Sequence, residues 1–485
     1  MKVGVSSRVI TPPVGIPMAG FSGRIEVSQG IHDDLYAKIL LIQSGDTRVA
    51  LVTFDLLQLG RTEMNRLREI VGRRIGVSPC NVITACSHTH SGPAIKPNPL
   101  SSLSIKKQVR LIDSWLEELH SSVDEMASEA AKELLEAKVK HGTNLVTGIS
   151  YNRRKKIAEG AYMLIMKTSD MKDAVREQYK EWGMPSELIE KLAVPGIPTG
   201  PIDPELSVLR FQTMNGDPIS ILVNFSCHPV TLGPHNLLIS ADYPGYLTHL
   251  VEEAENTAVF FTQGASGNVR PFYSERSFCE AERIGMALAS ATLKTMKTMA
   301  PLPSDVSVKI ANWVFELPLR EIPSSEEAER LIIKREEELN KSVREQDFRQ
   351  VRRLSEELVR LRRAAGQPVE LPRQWLGVSS KKPVEQVPEP TFEQEEVCEL
   401  QALAVGNVTL AAIPGELFAE LGLRIKKRAR FKRVAIVTLA NGSVGYVPTK
   451  EAYEEGGYET NSLLRPDVGE LIVDRMAMLI DGLSG

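Results

Sequence analysis

Several features that would assign this sequence quickly to a class of protein are missing from it. No run of 18 apolar residues occurs, so no transmembrane segment is predicted. The opening residues MKVGVSSRVITPPVG contain no apolar stretch of the kind found in secretory signals. Five widely spread cysteines without a Cys-x-x-Cys pair indicate buried thiols in a reducing compartment rather than a disulfide framework. We therefore expect a soluble, cytoplasmic protein.

Neither sign of charge dominates the composition. Lys and Arg number 58 against 62 Asp and Glu, so the formal net charge is −4, which argues against a nucleic-acid partner. Hydrophobic residues make up 42% of the 485 residues, which excludes a disordered chain and allows a large core. The composition predicts a globular protein of enzyme size with a small-molecule partner, and it leaves the oligomeric state open.

Strand and helix signals alternate in the first third of the chain. Apolar runs predict strands at Leu35–Leu41, Val49–Phe54 and Asn81–Cys86, and a helical period predicts a helix at Glu63–Gly76. Residues 106–137 predict one or two long helices. This alternation favours an α/β fold, which we expect to consist of layered mixed β-sheets with surrounding helices.

The second half of the chain continues the pattern around one block of unusual composition. We expect a strand at Cys398–Ala412, a helix at Leu417–Ala429 and a strand at Val434–Leu439. Residues 324–366 are dense in Glu, Arg and Lys with apolar residues at helical spacing, which predicts a charged helical hairpin. We interpret residues 1–485 as a single large catalytic domain that carries this hairpin as an insertion, either as a solvated helical face or as a lid.

Three histidines follow predicted strands. In an extended chain His88 and His90, within Ser87–Pro93, would point to the same face, which is a geometry typical of zinc sites. His228 also ends a strand, whereas the adjacent Cys227 should face the opposite way into the core. Two surface histidines and one buried core histidine are the alternative interpretation.

Candidate oxygen ligands for a metal ion lie in two further segments. Glu416 follows a strand and is expected to begin a helix, where the helix dipole favours a carboxylate with or without a metal. Tyr446, Tyr453 and Tyr458 lie within 13 residues of a polar loop. A phenol beside a divalent cation can lose its proton and become a ligand; packing over the edge of the core is the alternative.

Six motifs, in this order along the chain, resemble the N-terminal catalytic domain of the neutral/alkaline ceramidase family. That family consists of zinc hydrolases that cut the amide bond of N-acyl sphingosine. The motifs are Ile10-Thr11-Pro12-Pro13, Met18-Ala19-Gly20-Phe21, SHTHSGP, Asn224–Pro229, Pro414-Gly415-Glu416 and GYVPTKEAYEEGGYE.

The resemblance implies a role for each candidate residue. The implied zinc ligands are His88, His228, Glu416 and Tyr446. His90 would lie beside the water that the metal activates and would act as the general base. Arg153 and Tyr458 would face the substrate and stabilise the oxyanion.

The sequence also departs from the family. The family's Gly-Asp-Val-Ser-Pro motif reads Gly267-Asn268-Val269-Arg270-Pro271 here, so a serine long discussed as catalytic is replaced by Arg270. The family's C-terminal immunoglobulin-like domain and its usual export signal are not expected in this chain. Arg270 adds bulk and positive charge, and we take it as a candidate substrate-binding residue.

These features predict a zinc-dependent hydrolase that cleaves an N-acyl amide bond. We expect its substrate to be smaller or more polar than ceramide. The scheme needs no nucleophilic serine, so Arg270 is compatible with activity. One alternative is a relative without turnover that binds a metal or ligand, or partners other proteins through the charged hairpin. Another keeps zinc but hydrolyses an ester or a sugar-linked amide.

Overall fold

The structure is a computed structural model. It describes residues 1–21, 24–98, 101, 103–157, 160–163, 200–303, 306–321, 323–345, 397–431 and 433–483, with isolated residues between 354 and 365. The α-helices of these residues are α1 (Arg61–Ile75), α2 (Ile105–Lys132), α3 (Asp242–Glu255), α4 (Phe278–Met296), α5 (Ser325–Arg344), α6 (Ala419–Arg428), α7 (Lys450–Glu455) and α8 (Val468–Gly482).

The strands form two main sheets and several short pairs. In chain order they are β1 (Lys2–Val9), β2 (Gly30–Ile31), β3 (Tyr36–Ser44), β4 (Thr47–Phe54), β5 (Val82–Cys86), β6 (Leu135–Leu145), β7 (Ser150–Asn152), β8 (Arg154–Ile157), β9 (Gly160–Met163), β10 (Glu205–Thr213), β11 (Pro218–Phe225), β12 (Leu238–Ile239), β13 (Ala258–Gln263), β14 (Val269–Pro271), β15 (Ala300–Pro301), β16 (Val308–Glu316), β17 (Val397–Val405), β18 (Val408–Ile413), β19 (Glu416–Leu417), β20 (Arg433–Thr438) and β21 (Tyr446–Val447).

The larger sheet has the strand order β13-β11-β10-β6-β1-β3-β4-β5, with β15 also paired to β6. It is mixed: β4 and β5 run parallel, as do β11 and β13, while the neighbours between them are antiparallel. The packing of strand β3 explains why its sequence is apolar almost throughout. Ile39 and Leu41 enter one core and Leu40 and Ile42 enter another, so both faces of the sheet are covered.

The second sheet, β16-β17-β18-β20, packs against the first. Apolar residues of both, such as Phe211 and Leu403, share the core between the sheets. Helices α1 and α2 cover the outer face of β3 and β4, α3 and α4 cover β11 and β13, and α6 and α8 cover the second sheet. These layers confirm the expected α/β fold of layered mixed sheets with surrounding helices.

Two predicted elements were wrong in detail. Cys398–Ala412 is not one strand but the hairpin β17–β18, because the chain reverses at Gly406, whose φ of +60° suits glycine. Residues 106–137 hold a single helix, α2, and then enter β6, where apolar residues alternate with polar ones. An apolar run alone does not reveal a tight reversal inside it.

The predicted charged hairpin lies partly within the described residues. Its first arm is α5, and the described residues of the second arm, such as Leu358 and Leu361, are helical. They pack against Ala328 and Ile332 of α5. The remainder of 324–366 lies outside the described residues, and the assignment of the chain to one domain with an insertion stays a prediction.

The cysteines of the chain divide into buried and exposed residues. Cys86, Cys227 and Cys398 are buried, whereas Cys80 and Cys279 are exposed, contrary to the expectation that all five are buried. None of the helices in the described part of the chain combines the length and hydrophobicity that a bilayer crossing requires.

The parallel strand pairs decide where a site can form. The β4–β5, β11–β13 and β18–β20 pairs all end near one edge, where the two sheets meet. Asn441, after β20, joins the sheets there, because its backbone N–H donates to Thr84 O (2.9 Å) and its Oδ1 accepts from Thr84 N (3.0 Å). In open α/β sheets, ligands bind outside the carboxyl ends of the strands.

Candidate metal centre

The candidate ligands come from segments that directly follow these strand ends. His88 follows β5, His228 follows β11 and Glu416 follows β18. Tyr446 begins β21, which runs parallel to β19, and its backbone is in register with Glu416. The structure therefore brings together residues that are separated by more than 300 positions in the sequence.

Three imidazole nitrogens converge on one point. The Nε2 atom of His88 lies 3.0 Å from Nε2 of His228 and 3.3 Å from Nε2 of His90. All three rings are buried, with His90 the most accessible at 9% exposure. Four tetrahedral ligands at the usual zinc–nitrogen distance would lie about 3.3 Å apart, so the spacing suits such an ion.

The other nitrogen of each ring fixes which tautomer is present. The Nδ1 atoms of His88, His90 and His228 lie 2.9, 2.8 and 2.8 Å from the backbone carbonyl oxygens of Leu57, Gly20 and Ser266, respectively. A carbonyl only accepts, so each Nδ1 must carry the proton and donate. Three unprotonated Nε2 lone pairs then face one another, and a cation between them would satisfy all three.

Glu416 completes the cluster with a negative charge. Its Oε2 lies 3.1 Å from Nε2 of His228 and 3.3 Å from Nε2 of His88, yet it accepts no hydrogen bond of good geometry. Burial opposes ionisation of this carboxyl, but His88 and His228 hold its pKa well below the usual value. A buried carboxylate beside three nitrogen lone pairs is a donor set that fits a divalent metal.

Two of the three imidazoles, those of His228 and His90, resist protonation. Burial lowers the pKa of His228 to about 4, with the neighbouring His88 acting in the same direction. Burial, followed by the charges of His88 and His228, also lowers the pKa of His90 well below its usual value. Neutral rings at neutral pH are the form that a metal requires.

The backbone conformation that brings His88 and His90 together differs from the expected extended strand. His88 has a φ of +71°, in the left-handed region, and no strand continues through Ser87–Pro93. His88 and His90 therefore meet through a strained turn rather than through the alternation of an extended strand. Strain of this kind at a non-glycine residue is typical of functional sites.

Glu416 also lies in a different element from the one predicted. It belongs to the short strand β19, and α6 begins three residues later at Ala419. The charge in the first turn of that helix is Glu420. Glu416 therefore lies outside the helical turn in which the helix dipole was expected to favour its carboxylate.

Arg153 lies beside this cluster in a buried ion pair that the sequence did not reveal. Its Nε donates to Oε1 of Glu459 (2.9 Å), and its guanidinium carbon lies 5.4 Å from the ring centre of Tyr446. Burial opposes the charge, but Tyr446 and Glu459 raise the pKa of Arg153 above its usual value. Nη2 of Arg153 is buried without a hydrogen-bond partner, so one donor remains for a ligand.

Glu459 is the acidic residue that sequence reasoning missed. It also accepts from Arg154, with Oε2 2.8 Å from Nη1, and the two arginines lower its pKa against the opposing effect of burial. Its position next to Tyr458 was the available signal. Tyr458 begins a short 3-10 helix (Tyr458–Asn461), but its side chain lies outside the described part of the structure.

An N-terminal segment encloses His90. Gly20 supplies the carbonyl for Nδ1, and the Phe21 ring centre lies 5.0 Å from that of His90. Arg24 is 3% exposed, and its Nη1 donates to the carbonyl oxygens of His90 (2.9 Å) and Ala19 (2.7 Å). In the sequence the motif Met18–Phe21 supports only the family resemblance, because its contact with His90 joins segments about 70 residues apart.

Cys227 behaves as predicted. It is fully buried in the core beneath α3 and α4, and burial raises its pKa well above the usual value. A protonated thiol in an apolar core is a poor ligand. The imidazole of the adjacent His228 faces the cluster instead.

The motif that departs from the family packs directly against Glu416. A Cβ on Gly267 would lie 2.4 Å from Glu416 O, so only glycine allows this approach. Asn268 accepts from the N–H of Ala419 (2.9 Å) and donates to Oε2 of Glu420 (2.7 Å). The amide at 268 thus caps α6 and pairs with a carboxylate, which an aspartate could not do with both oxygens ionised.

The fold and the site together define a mixed α/β protein with a candidate metal centre where two sheets meet. Residues 1–275, more than half of the chain, match the sequence profile described as neutral/alkaline non-lysosomal ceramidase, N-terminal, so the chain belongs to this family.

Two solved structures share the fold. A crystal structure of neutral ceramidase from Pseudomonas aeruginosa has a TM-score of 0.66 and 18% identity, over 99% of this chain and 74% of that one. A structure described as ceramidase complexed with C2 has a TM-score of 0.67 and 17% identity, over 100% of this chain and 75% of that one. Family membership supports a hydrolase of amide bonds, and the histidine cluster could hold a metal ion.

Proposed function

We propose that the protein is a zinc-dependent hydrolase that cleaves the amide bond of an N-acyl substrate smaller or more polar than long-chain ceramide. The observation that carries the proposal is the convergence of His88, His90 and His228 through their Nε2 atoms, with Glu416 Oε2 beside them. All three Nδ1 protons are held by carbonyl oxygens, so the Nε2 lone pairs are available, at His88 and His228 for a metal ion and at His90 for a proton.

The residues that would hold the ion are His88, His228, Glu416 and Tyr446. A bound zinc ion supplies Lewis acidity, which lowers the pKa of water toward about 7 and polarises a carbonyl group. The backbone pairing of Glu416 with Tyr446 and the ion pair of Arg153 with Glu459 keep these groups in one place.

His90 is proposed as the general base and not as a ligand. It is the most accessible of the three imidazoles, at 9% exposure against 2% and 1%, which suits a group that must meet water and the leaving nitrogen. It would take a proton at Nε2 from the attacking water and return it to the amine. The products are then a carboxylic acid and an amine, with one water consumed.

Arg153 and Tyr458 are proposed to stabilise the oxyanion. Support for Arg153 is its buried Nη2, which has no hydrogen-bond partner and can donate. The proposed role of Tyr458 rests on the family motif and on its position beside Glu459, the carboxylate that orients Arg153. Loss of one such donor typically lowers the rate by about 10² to 10³.

The test is turnover of an N-acyl amide series, from acetyl to palmitoyl, by the zinc-loaded protein and by His90→Ala. We expect cleavage of short or polar amides, and we expect His90→Ala to keep zinc while losing most turnover. Rates that rise steadily to a maximum on ceramide in detergent would contradict the substrate proposal. Absence of turnover on every amide by the zinc-loaded protein would contradict the hydrolase, and loss of zinc in His90→Ala would make His90 a ligand.

A further inference from the structure

The structure buries four arginines within the described ranges, and one of them differs from the rest. Arg68 and Arg153 each pair with a buried carboxylate, and Arg24 donates to four backbone carbonyl oxygens. Arg270 is 5% exposed, and no ion pair of its side chain is found among the residues that the structure describes. Its Nε is buried without an acceptor.

A buried cation without a counter-ion destabilises a fold, because its hydration is lost and nothing replaces it. The charge of Asp242, like that of Arg270, acts on Cys227, but Asp242 is hydrogen-bonded elsewhere. It accepts from the N–H groups of Thr231 (3.0 Å) and Tyr243 (2.7 Å), while the Nε of Arg270 has no acceptor. None of the described residues therefore supplies a carboxylate that pairs with Arg270.

The strand that carries Arg270 adjoins two segments of the candidate metal centre. It is the middle residue of β14, which pairs with β7 so that Arg270 is opposite Tyr151. The carbonyl oxygen of Val269, the residue before Arg270, accepts from the N–H of His228 (3.2 Å). On the paired strand, Arg153 follows two residues after Tyr151. The positive charge of Arg270 also acts on Cys227, the neighbour of His228.

Further unsatisfied donors belong to the same segments. Ser150 Oγ, Thr231 Oγ1 and Tyr273 Oη are buried and have no hydrogen-bond partner. Ser150 is in register with Pro271, and Thr231 and Tyr273 lie three residues after His228 and Arg270 in the chain. Buried hydroxyls and a guanidinium Nε without acceptors, on adjoining segments, are donors of the kind that an oxyanion site uses.

We propose that Arg270 binds an anionic oxygen group of the substrate, a carboxylate or a phosphate, beside the metal centre. The inference rests on the proposed amide hydrolase and names its substrate class: N-acyl compounds that carry a negative charge. A guanidinium can hold either anion through two parallel N–H donors, which would fix the position of the amide bond as well as select for charge.

The first experiment compares a charged substrate with its neutral counterpart. The wild type and Arg270→Gln are assayed with N-acetylglycine and with its neutral counterpart, N-acetylglycinamide. A second pair has a phosphate monoester in place of the carboxylate and the free alcohol as its neutral counterpart. We expect kcat/KM for the anionic compounds to fall on the order of 10²-fold in Arg270→Gln, with the neutral compounds within about threefold. Equal effects on both members of each pair overturn the proposal.

Arg283→Gln is the matched control. It removes the same charge from α4, where Arg283 is 47% exposed and paired with Glu280. Because surface charges act weakly and are screened by salt, we expect no loss of preference for the anion. A loss as large as that of Arg270→Gln would mean that general attraction, and not a built site, selects the substrate, and it would overturn the proposal.

A binding measurement keeps the inference testable if no amide is cleaved. Inorganic phosphate, glycine and N-acetylglycine are titrated against the wild type and Arg270→Gln, each followed by the change in melting temperature. Saturable stabilisation of the wild type that is absent in Arg270→Gln supports the anion site even where the hydrolase fails. The same stabilisation in both proteins, or in neither, overturns it.

The stability of the ligand-free variants distinguishes binding from a structural role. Arg270→Met removes an uncompensated buried charge, so we expect its melting temperature to equal or exceed that of the wild type. A structural arginine would give the opposite result. A lower melting temperature together with unchanged discrimination between anionic and neutral compounds contradicts the assignment.

Discussion

Contacts from an N-terminal segment set both the ring and the backbone of His90. Gly20 accepts the Nδ1 proton, Phe21 packs on the ring, and Arg24 donates to the carbonyl oxygen of His90. Displacement of a catalytic base by about 1 Å can cost roughly 10²-fold in rate. These residues therefore position His90 although none of them is itself a candidate ligand.

Gly20→Ala tests this role. A Cβ at Gly20, whose φ is +103°, would lie 2.6 Å from Nδ1 of His90. We expect kcat to fall about 10- to 100-fold while the metal content stays at that of the wild type. Gly15→Ala is the control, because Gly15 has a similar φ of +98° but no atom within 4 Å of the added methyl group. Equal losses of activity in the two variants would show that backbone strain alone is responsible.

At the scale of elements, the sequence predicted the strands better than their connections. Buried strands such as β3 and β5 are apolar almost throughout and stand out in any composition window. The left-handed turn at His88 and the pairing of Arg153 with Glu459 depend on contacts between distant segments, whereas the local reversal at Gly406 is hidden inside an apolar run. The candidate ligands could be named from motifs, but the carbonyl groups that orient them could not.

The departure at Asn268 is also explained at this scale. Asn268→Asp would keep the acceptor for Ala419 N and gain about 0.3–1 kcal/mol from a negative charge at the start of α6. It would also replace the donor to Glu420 by a second acceptor, at a cost of about 1–3 kcal/mol. We expect net destabilisation in urea unfolding, reversed in the double variant with Glu420→Gln. Equal stabilities of Asn268→Asp and wild type would contradict this role.

The pairing of β6 with β10 contains a group that makes stability depend on pH. Burial, followed by the charge of Arg433, lowers the pKa of His141 to about 4, and its Nε2 lies 3.0 Å from Ser207 Oγ. The unfolded chain takes up the proton near pH 6.5 and the folded protein only near pH 4, so stability is lost as pH falls through this window. His141→Gln should reduce the slope of unfolding free energy against pH there by about one proton.

His249→Gln is the control for that slope, because His249 is 68% exposed on α3 and its removal should leave the slope unchanged. The measurement is urea unfolding at several pH values between 4 and 6.5. A slope that is the same in His141→Gln and the wild type would show that His141 protonates equally in both states.

At the scale of the whole molecule, the candidate metal centre joins the two sheets. His88 and His228 follow strands of the larger sheet, whereas Glu416 follows a strand of the smaller one. Binding of an ion to the folded state alone would stabilise the packing of both sheets by mass action. The site is thus a structural junction as well as the proposed catalytic centre.

The most direct measurement is the metal content of the purified protein and of His88→Ala and His228→Ala, by elemental analysis after dialysis. The account predicts about one zinc per chain in the wild type and in the exposed-histidine control His249→Ala, and little or none in the other two. Full zinc occupancy in both His88→Ala and His228→Ala, or a wild type that binds no divalent metal, would contradict it.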